Sequence, residues 1–230
     1  MKKIFLLAFS LIFLTNLSYA NEEQLKKENL IQTRIDKVGT KLLNLNKIPK
    51  RVVFVYDKSQ KKEFRLMDKT LSKRQFVMYD GLYQFIQSDD ELAAVLAREI
   101  VLAQKSYHGI WGGRLDSLQV TLSPKKFETM ADKRAVDYMV TAGYNPLALI
   151  VFINKFYPQS KTDFISKHNL TSKRLARVYE YIYCKYPEYL ENNEYINNEY
   201  YQNFLLTSIE NRKMLAEKIR TNSCEECDYE

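Results

Sequence analysis

SDDELAAVLAREIVLA, residues 88–103, decides the fold of this 230-residue chain. Asp89, Asp90 and Glu91 form an acid-rich opening turn, where negative charge complements the N-terminal end of a helix dipole. Between Leu92 and Gln104 the only charged residues are Arg98 and Glu99; the rest are Ala, Val, Leu or Ile. A helix that is apolar nearly all round is buried between other elements. Helical spacing puts Glu99 on a face with Leu92, Val95, Leu96, Leu102 and Ala103. Burying that carboxylate alone would be costly, so it needs a cationic partner, a metal ion or a proton. A purely structural buried salt bridge is the ordinary solution.

Working outward, residues 22–45 repeat Leu30, Ile35, Val38, Leu42 and Leu43 at three- and four-residue steps, which predicts a helix closed off by Pro49. RVVFVYD at 51–57 and QFVMYD at 75–80 are β-branched and aromatic runs, and EFRL at 63–66 is a weaker one between them. Together they predict a small antiparallel sheet. YHGIWGGRLDSLQV at 107–120 holds three of the six glycines and the single Trp, a loop composition. Ser123-Pro124 opens a helix that runs to about Ala142, with Gly143 as its left-handed stop, and Asn145-Pro146 starts the next. Residues 171–185 and roughly 188–220 are predicted helical, the latter rich in Tyr and Asn. Its segment NNEYINNEYYQNF, 192–204, suits either an adhesive surface or the outer face of a helix hairpin. The expected fold class is α+β, mostly helical.

The chain opens MKKIFLLAFSLIFLTNLSYA: two lysines, an apolar run, then small residues at Ser18 and Ala20. This pattern predicts a secretory signal peptide over residues 1–20 and a periplasmic or secreted product. The apolar run from Ile4 to Leu14 is shorter than the roughly 20 residues of a spanning helix. The net charge of +7 is spread along the chain and interleaved with acids, so it argues against a nucleic-acid footprint. It gives a mild preference for anionic surroundings, compatible with peripheral membrane contact. Of the three cysteines, Cys184, Cys224 and Cys227, at most two can share an intramolecular disulfide. The acidic neighbours Glu225, Glu226 and Asp228 raise thiol pKa values in the tail. A local disulfide, a weak soft-metal site and a frayed acidic terminus all fit it.

FETMADKRAVDYMVTAGYNP, 127–146, places Glu128 and Asp132 four residues apart on one helical face, ahead of the glycine stop. Taken with SDDELAAVLAREIVLA, and with the helix-strand-strand order before it, this segment resembles the zinc metalloendopeptidases of the HtpX and CAAX-prenyl-protease type and their soluble periplasmic relatives. The resemblance spans about residues 30–180. It implies a zincin-like domain over 21–186, with 187–230 as a helical extension carrying the Cys-containing tail. In that family the first helix carries His-Glu-x-x-His, and the Glu of a later Glu-x-x-Ala-Asp helix is the third zinc ligand. Glu99 stands at the general-base position, Glu128 at the third-ligand position and Asp132 at a supporting carboxylate. Arg98 and Leu102 occupy the two imidazole positions. SKHNLTSKR, 166–174, matches a further family segment through His168 and Arg174.

The implied activity is thus a degenerate one: an exported metallopeptidase-like protein that binds peptide or unfolded envelope protein, or works beside an active paralogue, with no cofactor. The Arg98 guanidinium would replace the zinc charge through a two-point contact with Glu128, while Leu102 fills the second ligand's space. The alternative is an active zinc endopeptidase with a rebuilt site, using Glu99 as base, Glu128 as ligand and one of the only two histidines, His108 or His168, as another. A third reading assigns thiol or metal handling to Cys224 and Cys227.

Overall fold

The structure, a computed structural model, describes residues 2–49, 52–62, 64–70, 73–105, 124–157 and 171–221, with side chains over 22–49, 52–62, 75–104, 128–157 and 171–221. Helix α1 (Lys2–Leu45) leads into strands β1 (Val52–Asp57), β2 (Phe64–Thr70) and β3 (Lys73–Tyr79). A single turn, α2 (Asp80–Tyr83), precedes the buried helix α3 (Asp89–Lys105). Then come α4 (Pro124–Thr141), α5 (Leu147–Phe156), α6 (Thr171–Lys185), α7 (Glu188–Glu191), α8 (Glu199–Thr207) and α9 (Ile209–Arg220). The result is mostly helix with one small sheet, as the residue patterns predict. Among the described residues no helix is long and apolar enough to cross a membrane. His108 and His168, Cys224 and Cys227, the glycine-rich stretch at 107–120 and the side chains of residues 1–21, where the signal peptide is expected, lie outside the described residues.

Helix α3 is the hub, packed by α1, α4 and α5. Leu92 through Ala97 are all buried, in keeping with its apolar circumference. Its start is fixed by polar contacts that the acidic turn supplies. The Glu91 amide donates to Ser88 Oγ at 3.1 Å, and Glu91 Oε2 accepts the Gln87 amide at 3.0 Å, a close relative of the capping box. Glu91 is itself buried and meets Lys155 Nζ of α5 at 3.0 Å. Asp90 Oδ1 accepts the Asn145 amide at 3.0 Å, and Asn145 Oδ1 in turn accepts the Leu147 amide at 3.0 Å at the start of α5. The AGYNP connection is therefore tied to the α3 N-terminus. Gly143 takes the left-handed φ of 69° that ends α4, the role its position predicts.

The sheet corrects the antiparallel expectation. Its order is β1-β3-β2, with β2 antiparallel to β3 but β1 parallel to it. The short β2–β3 connection forces those two strands to reverse. Because β1 joins the free side of β3, two reversals bring β1 and β3 into the same direction. Strand patterns carry no information about which edge a strand joins. On the far side of β1, the Gln32 side chain of α1 acts as a substitute strand: Nε2 donates to the Phe54 carbonyl at 3.0 Å, and Oε1 accepts the Tyr56 amide at 2.7 Å.

Close packing of α1 on β1 depends on Gly39, where an added Cβ would overlap the Phe54 ring. Gly39→Ala should therefore destabilise by about 1–2 kcal/mol through overpacking, even though Ala is the better helix former. Thermal unfolding monitored by circular dichroism measures this directly.

Two further expectations need correction. Leu30 is 64% exposed, and the buried stripe of α1 runs instead through Ile31, Ile35, Val38 and Leu42. The continuous helix expected over roughly 188–220 is three helices: Asn193 Oδ1 accepts the Tyr195 amide at 2.9 Å in the turn after α7, Asn198 Oδ1 caps α8 by accepting the Tyr200 amide at 3.0 Å, and the chain breaks again at Ser208. Tyr201 and Phe204 of α8 are buried in the same core as α3 and α5.

Candidate functional site

Three helices bring five charged side chains together. Arg98 and Glu99 come from α3, Glu128 and Asp132 from successive turns of α4, and Arg174 from the first turn of α6. Asp132 is 1% exposed, Arg174 3%, Glu99 4% and Glu128 7%. Each carboxylate therefore has to be matched inside the protein.

Arg174 does most of the matching. Its Nε and Nη2 donate to Asp132 Oδ2 at 2.5 Å and Oδ1 at 2.7 Å, a two-point fork geometry, and Nη1 lies 3.2 Å from Glu128 Oε1. The Tyr157 ring covers the guanidinium, 5.1 Å from Cζ to the ring centroid. Burial works against the Arg174 charge, but Asp132 and Glu128 outweigh it and raise its pKa. Arg98 is the second cation. Its Nε donates to Asp132 Oδ1 at 3.0 Å, while Nη1 stands 3.5 Å from Glu99 Oε1 and Nη2 3.9 Å from Glu128 Oε1. The two-point contact is thus made by Arg174 on Asp132, and Arg98 reaches Glu128 only at ion-pair distance. Leu102 is half-buried one turn beyond Arg98.

Glu99 is the surplus charge. Both guanidiniums are engaged by Asp132 and Glu128, and Glu99 shares Arg98 with them, Nη1 standing 3.5 Å from its Oε1. Its Oε1 is buried and has no hydrogen-bond partner among the described residues. Burial pushes its pKa up to about 7, and the positive charges of Arg98 and Arg174 pull it only part of the way back.

Zinc does not fit this donor set. The described part of the site offers three carboxylates and no imidazole, and two guanidiniums lie among them, where a divalent cation would be repelled. Among the described residues no group of three His, Cys, Asp or Glu side chains is arranged to hold a metal ion.

Residue spacing alone marks Glu99, Glu128 and Asp132, but it leaves Arg174 at the margin, although Arg174 sits at the centre. The available signal is that Arg174 precedes Leu175 and lies four residues before Val178, on the apolar face of an amphipathic helix. A second polar cluster escapes the sequence altogether. Asp137 accepts hydrogen bonds from the Tyr181 and Tyr186 hydroxyls at 2.8 Å each and from Lys185 Nζ at 2.9 Å, joining α4 to the end of α6.

Fold and site together define a mostly helical α+β domain built around a buried network of two arginines and three carboxylates. No family model matches the chain, and no curated protein or solved structure matches it.

Proposed function

We propose that the chain is a zincin-like pseudopeptidase, exported to the periplasm or beyond, that binds extended peptide or unfolded envelope protein without cleaving it. The observation that carries this reading is the pair of guanidiniums among Glu99, Glu128 and Asp132, the positions where the resembling proteases carry their base, a ligand and a supporting carboxylate. Positive charge supplied by the chain replaces the charge that a metal would bring. Binding by strand addition suits the sheet, in which the outer side of β1 is taken by Gln32, whereas β2 pairs only with β3 among the described strands.

The test combines metal analysis, a hydrolysis assay and binding to a reduced, alkylated model polypeptide. The expected result is no stoichiometric zinc, no hydrolysis with or without added zinc, and saturable binding. Stoichiometric zinc that is lost in Glu128→Gln, together with hydrolysis that is lost in Glu99→Gln, would overturn it in favour of a rebuilt protease. Absence of polypeptide binding would overturn the binding role. The rebuilt-protease reading draws on one observation, the pKa of Glu99 near neutrality, which suits a general base.

A further inference from the structure

The two faces of β2 are not alike, and its ladder to β3 fixes which residues lie on each. Phe64, Leu66 and Asp68 stand opposite Met78, Phe76 and Arg74, so all of these share one face of the sheet. Arg65 and Met67 share the other face with Val77 and Gln75. The first is the core face: Phe76 and Met78 are buried, and Phe54, the β1 partner of Phe76, lies against Gly39 of α1. The ladder is regular over Phe64–Asp68 and shifts register between Asp68 and Thr70.

Positive charge is concentrated on the same strands. Residues 61–74 hold six Lys and Arg residues against Glu63 and Asp68, a net +4 of the chain's +7. Lys61 and Lys62, which lead into β2, are exposed, and their Nζ atoms lie 5.1 Å and 5.0 Å from the ring centroids of Tyr79 and Phe85. A strand added on the side of β2 away from β3 extends both faces at once. Its residues on the core face adjoin Phe64 and Leu66, and those on the other face adjoin Arg65 and Met67 in a positive field.

We propose that the segment received at this edge is an acidic, alternating one, with apolar residues on the Phe64 face and Asp or Glu on the Arg65 face. This specificity rests on strand addition at β2 and narrows the ligand to one class of peptide. Main-chain hydrogen bonds supply affinity for any sequence, whereas the alternate side chains discriminate. Apolar residues beside Phe64 and Leu66 leave water, and a carboxylate beside Arg65 is favoured where an ammonium is repelled, each such pair shifting affinity by about two- to fivefold. Basic residues on an edge strand also serve as guards against uncontrolled pairing, a role that a binding comparison separates from that of a receptor.

Blocked peptides of seven residues, the length of β2, alternate Val with Glu or Val with Lys, and a third has the composition of the Glu peptide arranged in blocks. Each carries a fluorophore, and binding to the full chain is read by anisotropy. At low salt the Glu peptide should bind about tenfold more tightly than the Lys peptide, and added salt should shrink that advantage. The block peptide should bind more weakly than its alternating isomer. Arg65→Glu should diminish or reverse the preference, as should Lys61→Glu, which lies outside the ladder; circular dichroism checks that both variants fold. Equal affinity for the Glu and Lys peptides, tighter binding of the Lys peptide, or a preference untouched by both variants would overturn the acidic specificity, while binding of the reduced, alkylated polypeptide would still uphold the binding role. Failure of every peptide and of the polypeptide to bind would overturn both. Capture on phosphatidylglycerol vesicles with no preference among the peptides would overturn the proposal in favour of a membrane surface as the partner of the basic residues.

Discussion

Replacing Arg174 with Met is expected to cost about 3–5 kcal/mol of folding stability, close to the whole margin of an ordinary domain. The substitution fills a similar volume but withdraws the fork that holds Asp132 and the 3.2 Å contact to Glu128. Arg98 cannot take over, because its single hydrogen bond to Asp132 already uses Oδ1, and Glu128 lies 3.9 Å away. Asp132 would then keep only its single bond to Arg98, in a site almost closed to water. The double variant Arg174→Met, Asp132→Leu removes both partners of the fork and should recover much of the loss, since an unpaired buried charge is worse than an apolar pair. Arg98→Met should cost less than Arg174→Met, since it forfeits one hydrogen bond rather than two. Urea unfolding of the three variants measures these differences; a loss below about 1 kcal/mol for Arg174→Met would show that water, not Arg174, balances the carboxylates.

The parts of this arrangement that are legible in the amino-acid order are the parts governed by neighbours along the chain. The start of α3 and both ends of α4 follow from local signals: the acidic turn at 89–91, the proline at 124 and the glycine at 143. Glu128 and Asp132 are visible as a pair because helical spacing alone stacks them. What spacing does not show is partner choice across distance. Arg98 and Arg174 compete for the same two carboxylates, and Arg174 takes the fork on Asp132 from 42 positions away because α6 packs across α4. Arg98 is thereby left with the third carboxylate, its own neighbour Glu99. The sheet order fails for the same reason, since the parallel pairing of β1 and β3 is decided by which edge is open. Leu30 fails by a single step of helical phase: Ile31 lies 100° around the axis, enough to exchange core for solvent.

Glu99→Gln is expected to stabilise the protein above neutral pH and to flatten its stability below it. The native pKa of about 7 lies above the ordinary 4.5 of a glutamate, because burial disfavours the ionised form more than Arg98 and Arg174 favour it. Below pH 4.5 the carboxyl is protonated in both folded and unfolded chains and contributes nothing to pH dependence. Between pH 4.5 and 7 the unfolded chain releases the proton while the folded chain keeps it, so stability falls as pH rises. Above pH 7 both states are ionised and the penalty levels off, at about 3 kcal/mol for a displacement of this size. Gln removes that slope and offers its amide to the same space without a charge to bury. The gain at pH 8 should therefore approach the full penalty, whereas at pH 4 the variant and the parent should be nearly alike. Urea midpoints measured at pH 4, 6 and 8 decide the matter. An equal change at all three would mean that Glu99 titrates in the folded chain at its ordinary value, Arg98 offsetting the cost of burial, and that at pH 6 and 8 the network holds three anions against two cations without the help of a proton.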